Sequence, residues 1–210
     1  MFIACHLDRS EEAAADERSG EISRLFYVLT ISIFLSILRE IVNIFCMKFE
    51  GIFEKTLVIV KPDGVQRGLI GDVINRLEKK GLKIAGMKMV KLGPDVLRKH
   101  YEAHVEKPFY GALESFMSSS PVTVLAAEGL KAVSAVRLIA GATNAADADG
   151  GTIRGDLAMG FSNVVHCSDS IESAKQEIEL YFGEGELFDY DKTEYLHVYM
   201  DDERATDLNV

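Results

Sequence analysis

An α+β sandwich of ferredoxin-like type, a four-stranded antiparallel sheet with surrounding helices gathered on one face, is the fold predicted by three observations. Short β-branched runs and amphipathic stretches follow one another from residue 55 in the order β-α-β-(α-α)-β-α-loop-β-α. Turn residues and helix caps mark most of the junctions. The third observation is size: 210 residues, 48% apolar and 27% charged, suit one well-packed domain with an appendage.

The appendage is N-terminal, over residues 1–52. Residues 1–21 are polar and acidic and read as a disordered leader. Residues 25–38, LFYVLTISIFLSIL, form a 14-residue apolar or hydroxylic run, short of the ~18–20 that span a bilayer. Arg39 and Glu40 interrupt it before IVNIFC resumes, and its upstream flank is acidic where a signal peptide is basic. A membrane anchor over 25–46, a helix docked on a partner and a mis-assigned start all fit this segment. Initiation at Met47 is favoured, since the compact pattern begins within ten residues of it.

Thr56 to Val60 is a β-branched run suited to a buried strand, closed by a turn at Lys61-Pro62-Asp63-Gly64. Leu69, Val73, Ile74 and Leu77 then recur at helical spacing, with Lys79 and Lys80 in the last turn and Gly81 as C-cap. Leu82 to Leu92 alternates and predicts a half-exposed strand, with Ile84, Met87, Met89 and Val90 as its apolar positions. Pro94 and Pro108 open helices to about His104 and Met117. A third strand covers Pro121 to Ala126, and a helix Lys131 to Ile139.

Residues 141–160 show neither periodicity. An irregular loop of that length inside a compact domain is usually functional. It leads into Asn163-Val164-Val165-His166, a short strand predicted to end at His166 against the Ser168-Asp169-Ser170 cap of an amphipathic helix, Ile171 to Phe182. A helix N-terminus favours an anion there, and a neutral histidine can attack phosphorus. Residues 193–210 read as an edge strand, Tyr195 to Tyr199, and a solvated tail, which leaves 53–192 as the principal domain.

Charge narrows the function classes. With 23 Lys and Arg against 33 Asp and Glu, the net charge is −10, which argues against nucleic-acid binding and requires any polyanion to meet a local cation cluster. Lys61, Arg137 and Arg154 are the candidates; an arginine there presents a planar fork to phosphate oxygens. Three cysteines without a C-x-x-C pair indicate neither a disulfide framework nor a zinc site, and a reducing, cytoplasmic setting is the default. His100 and His104 lie four apart on a helix without an evident third ligand and read as ordinary helix residues. No G-x-x-x-x-G-K-[ST] occurs, so a P-loop mechanism is excluded.

Six segments, in order, carry a resemblance: KPDGVQRG from Lys61, the His100-Tyr101 pair, KPF from Lys107, GATN from Gly141, GTIRGD from Gly151 and NVVHCSDS from Asn163. Together they resemble the nucleoside diphosphate kinase family. The resemblance implies transfer of the terminal phosphate of a nucleoside triphosphate, mainly ATP, to a nucleoside diphosphate. It implies a ping-pong route through a pros-phosphohistidine at His166, sustaining NTP and dNTP pools. Lys61, Tyr101 and Asn163 would then contact the transferred group or the ribose hydroxyl beside it. Arg137, Thr143 and Arg154 would hold the β- and γ-phosphates, and Phe109 and Leu113 would pack on the base. Glu177 would fix the imidazole, supported by Ser168. Mg²⁺ would arrive on the nucleotide, without a protein carboxylate cage. A homo-oligomer, hexamer or tetramer, is also implied.

Some positions depart from the family pattern. Cys167 replaces a glycine, Leu157 replaces an aromatic, residues 157–162 are one shorter, and Ala145-Ala146 stands where a proline is usual. A drifted, non-catalytic nucleotide-binding module is the alternative these changes raise.

Overall fold

The computed structural model describes residues 53–200. The expectations for the acidic leader, the 25–46 segment, a start at Met47 and the last ten residues lie outside them.

Four strands form one sheet: β1 (Phe53–Val60), β2 (Lys83–Val90), β3 (Val122–Leu130) and β4 (Val165–Cys167). Their order is β2-β3-β1-β4, and every neighbouring pair is antiparallel. β1 and β2 both run against β3, so the chain between them is a crossover, made by α1 (Pro62–Gln66) and α2 (Ile70–Lys79). β3 and β4 both run against β1, and their crossover holds α5 (Ala132–Ala140) and α6 (Ile153–Leu157). The helices α3 (Pro94–His100) and α4 (Tyr110–Ser119) join β2 to β3, and α7 (Ile171–Tyr181) follows β4. This is the doubled split β-α-β arrangement that the sequence predicts.

The helices, however, cover both faces of the sheet. Alternate residues of β1 enter different cores. Val58 and Val60 pack with Leu125, with Val73 and Leu77 of α2, and with Val136 of α5. Leu57 and Ile59 pack with Val124, Leu97 of α3, Met117 of α4 and Ile178 of α7. A strand buried on both sides reads as a continuous apolar run, which is why Leu57 to Val60 shows no alternation. Leu125 is fully buried, so Leu125→Ala is expected to lower unfolding free energy by about 2–5 kcal/mol. A fall in the urea midpoint with an unchanged slope checks this.

Four local expectations are corrected. Lys61 to Gly64, read as a turn, leads into the helical turn α1 over Pro62–Gln66, with Pro62 at its start where its missing N–H costs nothing. In β2, Met87 and Met89 are more than half exposed; β2 is one of the two outer strands, and its register shifts between Ile84 and Gly86. The segment read as an edge strand is the helical turn α8 (Tyr195–Val198), and rings of Tyr195 and Tyr199 pack on Phe53. Finally, the strand at His166 starts at Val165 and continues to Cys167, because Val164 has a left-handed φ of 67°.

Candidate active site

The left-handed backbone at Val164 sets the geometry of the site. A β-branched residue is costly in that region, and both its backbone groups are held: its N–H donates to Asp63 Oδ2 at 3.0 Å and its carbonyl accepts from Lys61 N–H at 2.8 Å. The strand therefore starts abruptly beside the end of β1. His166 pairs with Ile59 and Cys167 with Val58. Directly opposed residues of an antiparallel pair share a face. His166 thus faces the side covered by α3, α4 and α7, whereas Cys167 faces α5 and α6.

A cleft of about 1180 Å³ opens at this point, on the scale of a small-molecule site. It is lined from both sides: Lys61, His100, Tyr101, Phe109, Leu113, Arg137, Thr143, Arg154, Asn163, His166 and Glu177 all reach it. Ser168 is the one expected site residue that does not line it; its side chain is buried behind Glu177.

One carboxylate oxygen of Glu177 holds the histidine, and the other is held by Ser168. Oε1 lies 3.0 Å from His166 Nε2, and Oε2 accepts from Ser168 Oγ at 2.6 Å. Ser168 in turn is fixed to β1, since Leu57 N–H donates to its Oγ at 3.2 Å. Glu177 is on α7, whose first turn is capped by Ser170 Oγ accepting from Ser173 N–H at 3.1 Å. Burial would raise the Glu177 carboxyl, but the hydrogen bonds from His166 and Ser168 outweigh it and hold it below the ordinary glutamate range. An ionised Glu177 can only accept, so Nε2 carries the proton. In the neutral ring the lone pair then resides on Nδ1.

The cations are arranged on the other side. Lys61 Nζ donates to Asn163 Oδ1 at 2.7 Å, and Asn163 Nδ2 donates to the Thr143 carbonyl, which ties three segments together. Burial, with repulsion from Arg154, lowers the Lys61 ammonium to about 8 against the pull of Asp63. It is still largely charged at neutral pH. Arg154 is 6% exposed, and its two terminal nitrogens donate to the carbonyls of Gly141 (2.7 Å) and Val165 (3.0 Å). The expected open fork is thus partly engaged, and the guanidinium is fixed in place. Arg137, by contrast, projects from α5 as an exposed side chain. In the GTIRGD segment, Thr152 caps α6 and Asp156 accepts from Gly151 N–H and pairs with Arg76 at 2.8 Å, so its carboxylate supports the loop.

Sequence reasoning missed His100. Its side chain is fully buried, its ring centre is 4.5 Å from that of His166, and neither ring nitrogen has a hydrogen-bond partner. Burial, with repulsion from His166, lowers it to about 3, so it is neutral at physiological pH. Its placement beside Tyr101 was visible in sequence; which face of α3 meets β4 was not. Tyr101 is likewise pushed up by burial, with Glu177 and Tyr110 adding to the effect, and remains a donor. Phe109 is half exposed at the mouth of the cleft and presents a ring surface to any planar group entering it. At Cys167, burial pushes the thiol up against the pull of Arg154, Arg137 and Lys61.

Comparison with known proteins gives this cleft a context. A family model described as nucleoside diphosphate kinase matches residues 54–187. A nucleoside diphosphate kinase of Pyrococcus abyssi is 52% identical over 145 residues, covering 67% of this chain and 91% of that one. A halophilic nucleoside diphosphate kinase from Halobacterium salinarum, solved in complex with CDP, superposes with a TM-score of 0.69 at 45% identity. That match covers 70% of this chain and 99% of the other. The Borrelia burgdorferi enzyme, a transition state mimic with bound vanadate and ADP, gives 0.66 at 36% identity, over 70% and 96% of the two chains. The matched span runs from β1 past α7 and so contains all of the sheet except Phe53 and every side chain lining the cleft named above. This chain therefore belongs to the nucleoside diphosphate kinase family, enzymes that transfer phosphate between nucleotides.

Proposed function

We propose that the chain transfers the terminal phosphoryl group of a nucleoside triphosphate, mainly ATP, to a nucleoside diphosphate through a phosphohistidine at Nδ1 of His166. The observation that carries this is the pairing of His166 Nε2 with Glu177, which supports a free lone pair at Nδ1. Nδ1 attacks the terminal phosphorus in line, the bond to the bridging oxygen breaks, and a nucleoside diphosphate leaves. The Nε2 proton stays on its nitrogen, and Glu177 offsets the positive charge the ring gains. A second diphosphate then attacks the phosphorus through a terminal oxygen, the N–P bond breaks, and the lone pair returns to Nδ1. Phosphoryl transfer of this kind depends chiefly on positioning and charge neutralisation. Lys61 and Arg154, both fixed by hydrogen bonds, and the exposed Arg137 supply the charge, with Thr143 beside them. Tyr101 and Asn163 contact the transferred group or the ribose hydroxyl.

The base packs against Phe109 and Leu113. Stacking reads a ring face, so tolerance of several bases is expected. The CDP and ADP complexes of the structural relatives support nucleotide occupancy of this cleft. The charged side chains proposed at the phosphates, Lys61, Arg137 and Arg154, do not ligate a hard cation, so Mg²⁺ would arrive on the nucleotide. When bound, it neutralises phosphate charge. A cytoplasmic homo-oligomer, hexamer or tetramer, completes the proposal; among the described residues no helix is long and apolar enough to cross a membrane.

Brief incubation with magnesium and ATP labelled at the terminal phosphate tests the mechanism. An acid-labile, base-stable protein label that discharges onto added nucleoside diphosphate is expected. Absence of label would overturn the proposed route.

A further inference from the structure

His100 poses a question that phosphoryl transfer does not answer. A fully buried imidazole with two unpartnered nitrogens sits against the nucleophile, and buried polar atoms left without partners are costly. One nitrogen from each of His100 and His166 and one oxygen of Glu177 lie within 4.8 Å of one another. Glu177 Oε1 is 3.0 Å from His166 Nε2 and 4.0 Å from His100 Nδ1. Ligand atoms on a tetrahedral zinc ion are about 3.3 Å apart for bonds of about 2.0–2.1 Å. The His166–Glu177 separation already meets that spacing, the His100–Glu177 one exceeds it by under an ångström, and closing the set from the 4.8 Å limit takes side-chain movements of up to about 1.5 Å.

The donors are two imidazoles and one carboxylate. That set suits a borderline-soft divalent ion and leaves a fourth position open to the cleft for water. It is poorly matched to Mg²⁺, which demands an octahedron of oxygens. Sequence reasoning dismissed His100 as a ligand because it sought a third donor near His104; the other donors come instead from β4 and α7.

We propose that His100, His166 and Glu177 form a binding site for a zinc-class divalent cation that blocks phosphoryl acceptance. The metal bonds to the Nε2 lone pair, and the proton that Nε2 carried moves through solvent to Nδ1. No proton is gained or lost by the ring, but Nδ1 no longer has the lone pair that attacks phosphorus. Metal and phosphoryl group thus exclude each other, because each requires the opposite tautomer of one imidazole. Lys61 and Arg154 face the same cleft and disfavour a further cation, which makes this a reversible site rather than a structural one. The inhibitory half rests on the proposed phosphohistidine route; metal binding does not.

Titration of the chelator-treated full chain with Co²⁺, without nucleotide, reads the site directly. Visible absorption bands of a low-coordinate nitrogen and oxygen site are expected, saturating at one equivalent and displaced by Zn²⁺. Loss of a ligand should weaken binding by about tenfold or more, at least matching the loss of an outer-shell partner, in both His100→Gln and Glu177→Gln. Circular dichroism establishes that each variant is folded, and if one is not, the other decides. Chain phosphorylated by ATP and then freed of nucleotide should give no bands. Absent bands in the unmodified chain, or unchanged affinity in a folded variant, would overturn the site. Bands without any phosphoenzyme would retain the site while removing the kinase mechanism, so the two failures are distinguishable.

Discussion

His166→Ala should reduce phosphate exchange between ATP and a second nucleoside diphosphate by about 10⁴- to 10⁶-fold, the range found when a covalent nucleophile is removed from an otherwise intact site. The reason the loss is so large lies in how the ring is held. Glu177 receives Nε2 at 3.0 Å, Ser168 holds Glu177 from behind, and β1 holds Ser168 through Leu57. Such a chain places Nδ1 in one orientation before any nucleotide binds, and no other described side chain at the cleft offers a neutral lone pair so arranged. His100 is the nearest candidate, but its side chain is fully buried against the His166 ring and no hydrogen bond orients it. Nucleotide binding should change far less than exchange, because the phosphate cations and Phe109 remain. Equilibrium binding of a nucleoside diphosphate, measured beside the exchange rate, separates the two. A variant that keeps more than a hundredth of the exchange rate would show that phosphate passes directly between nucleotides.

How much of this was legible before the fold was known varies by residue. Val73 and Leu77 on α2, and the cap at Ser170 followed by α7, declare themselves through local spacing, since the same positions that form the helix also face the core. Lys61, Arg154 and Asn163 of the cleft lie in short ordered motifs, although 102 positions separate Lys61 from its partner Asn163. Other features depend on contacts that spacing does not encode. Val164 is β-branched and reads as strand; only Asp63 and Lys61, brought in by the sheet, hold it at a positive φ. Tyr195 to Tyr199 reads as an edge strand, but its tyrosine rings meet Phe53 in tilted and edge-on contacts made from a helical turn. Met87 and Met89 look like core residues until β2 is seen to be an outer strand. The partial engagement of Arg154 by two backbone carbonyls is equally a product of tertiary structure.

Lys61 should set the alkaline limit of the reaction. Its ammonium is lowered to about 8 by burial and by Arg154, so it is charged below that pH and neutral above it. A neutral amine still donates a hydrogen bond to Asn163 Oδ1, but it no longer offsets charge on a phosphate. The value of kcat/KM for the triphosphate, which reports the free enzyme, should therefore be level near neutrality and fall as pH rises through about 8, approaching a tenfold loss per unit. In the nucleotide complex the phosphates favour the charged form, so the corresponding limb of kcat should lie at higher pH. Lys61→Gln should cost about 10²- to 10³-fold in kcat/KM at neutral pH, the usual effect of removing one preorganised charge or donor, and the limb near 8 should vanish with it. The pairing of these two results matters, because loss of rate alone could follow from a displaced Asn163. A Lys61→Gln profile that still falls through pH 8 would assign the limb to another group and leave Lys61 as a support for Asn163 rather than a charge on the phosphate.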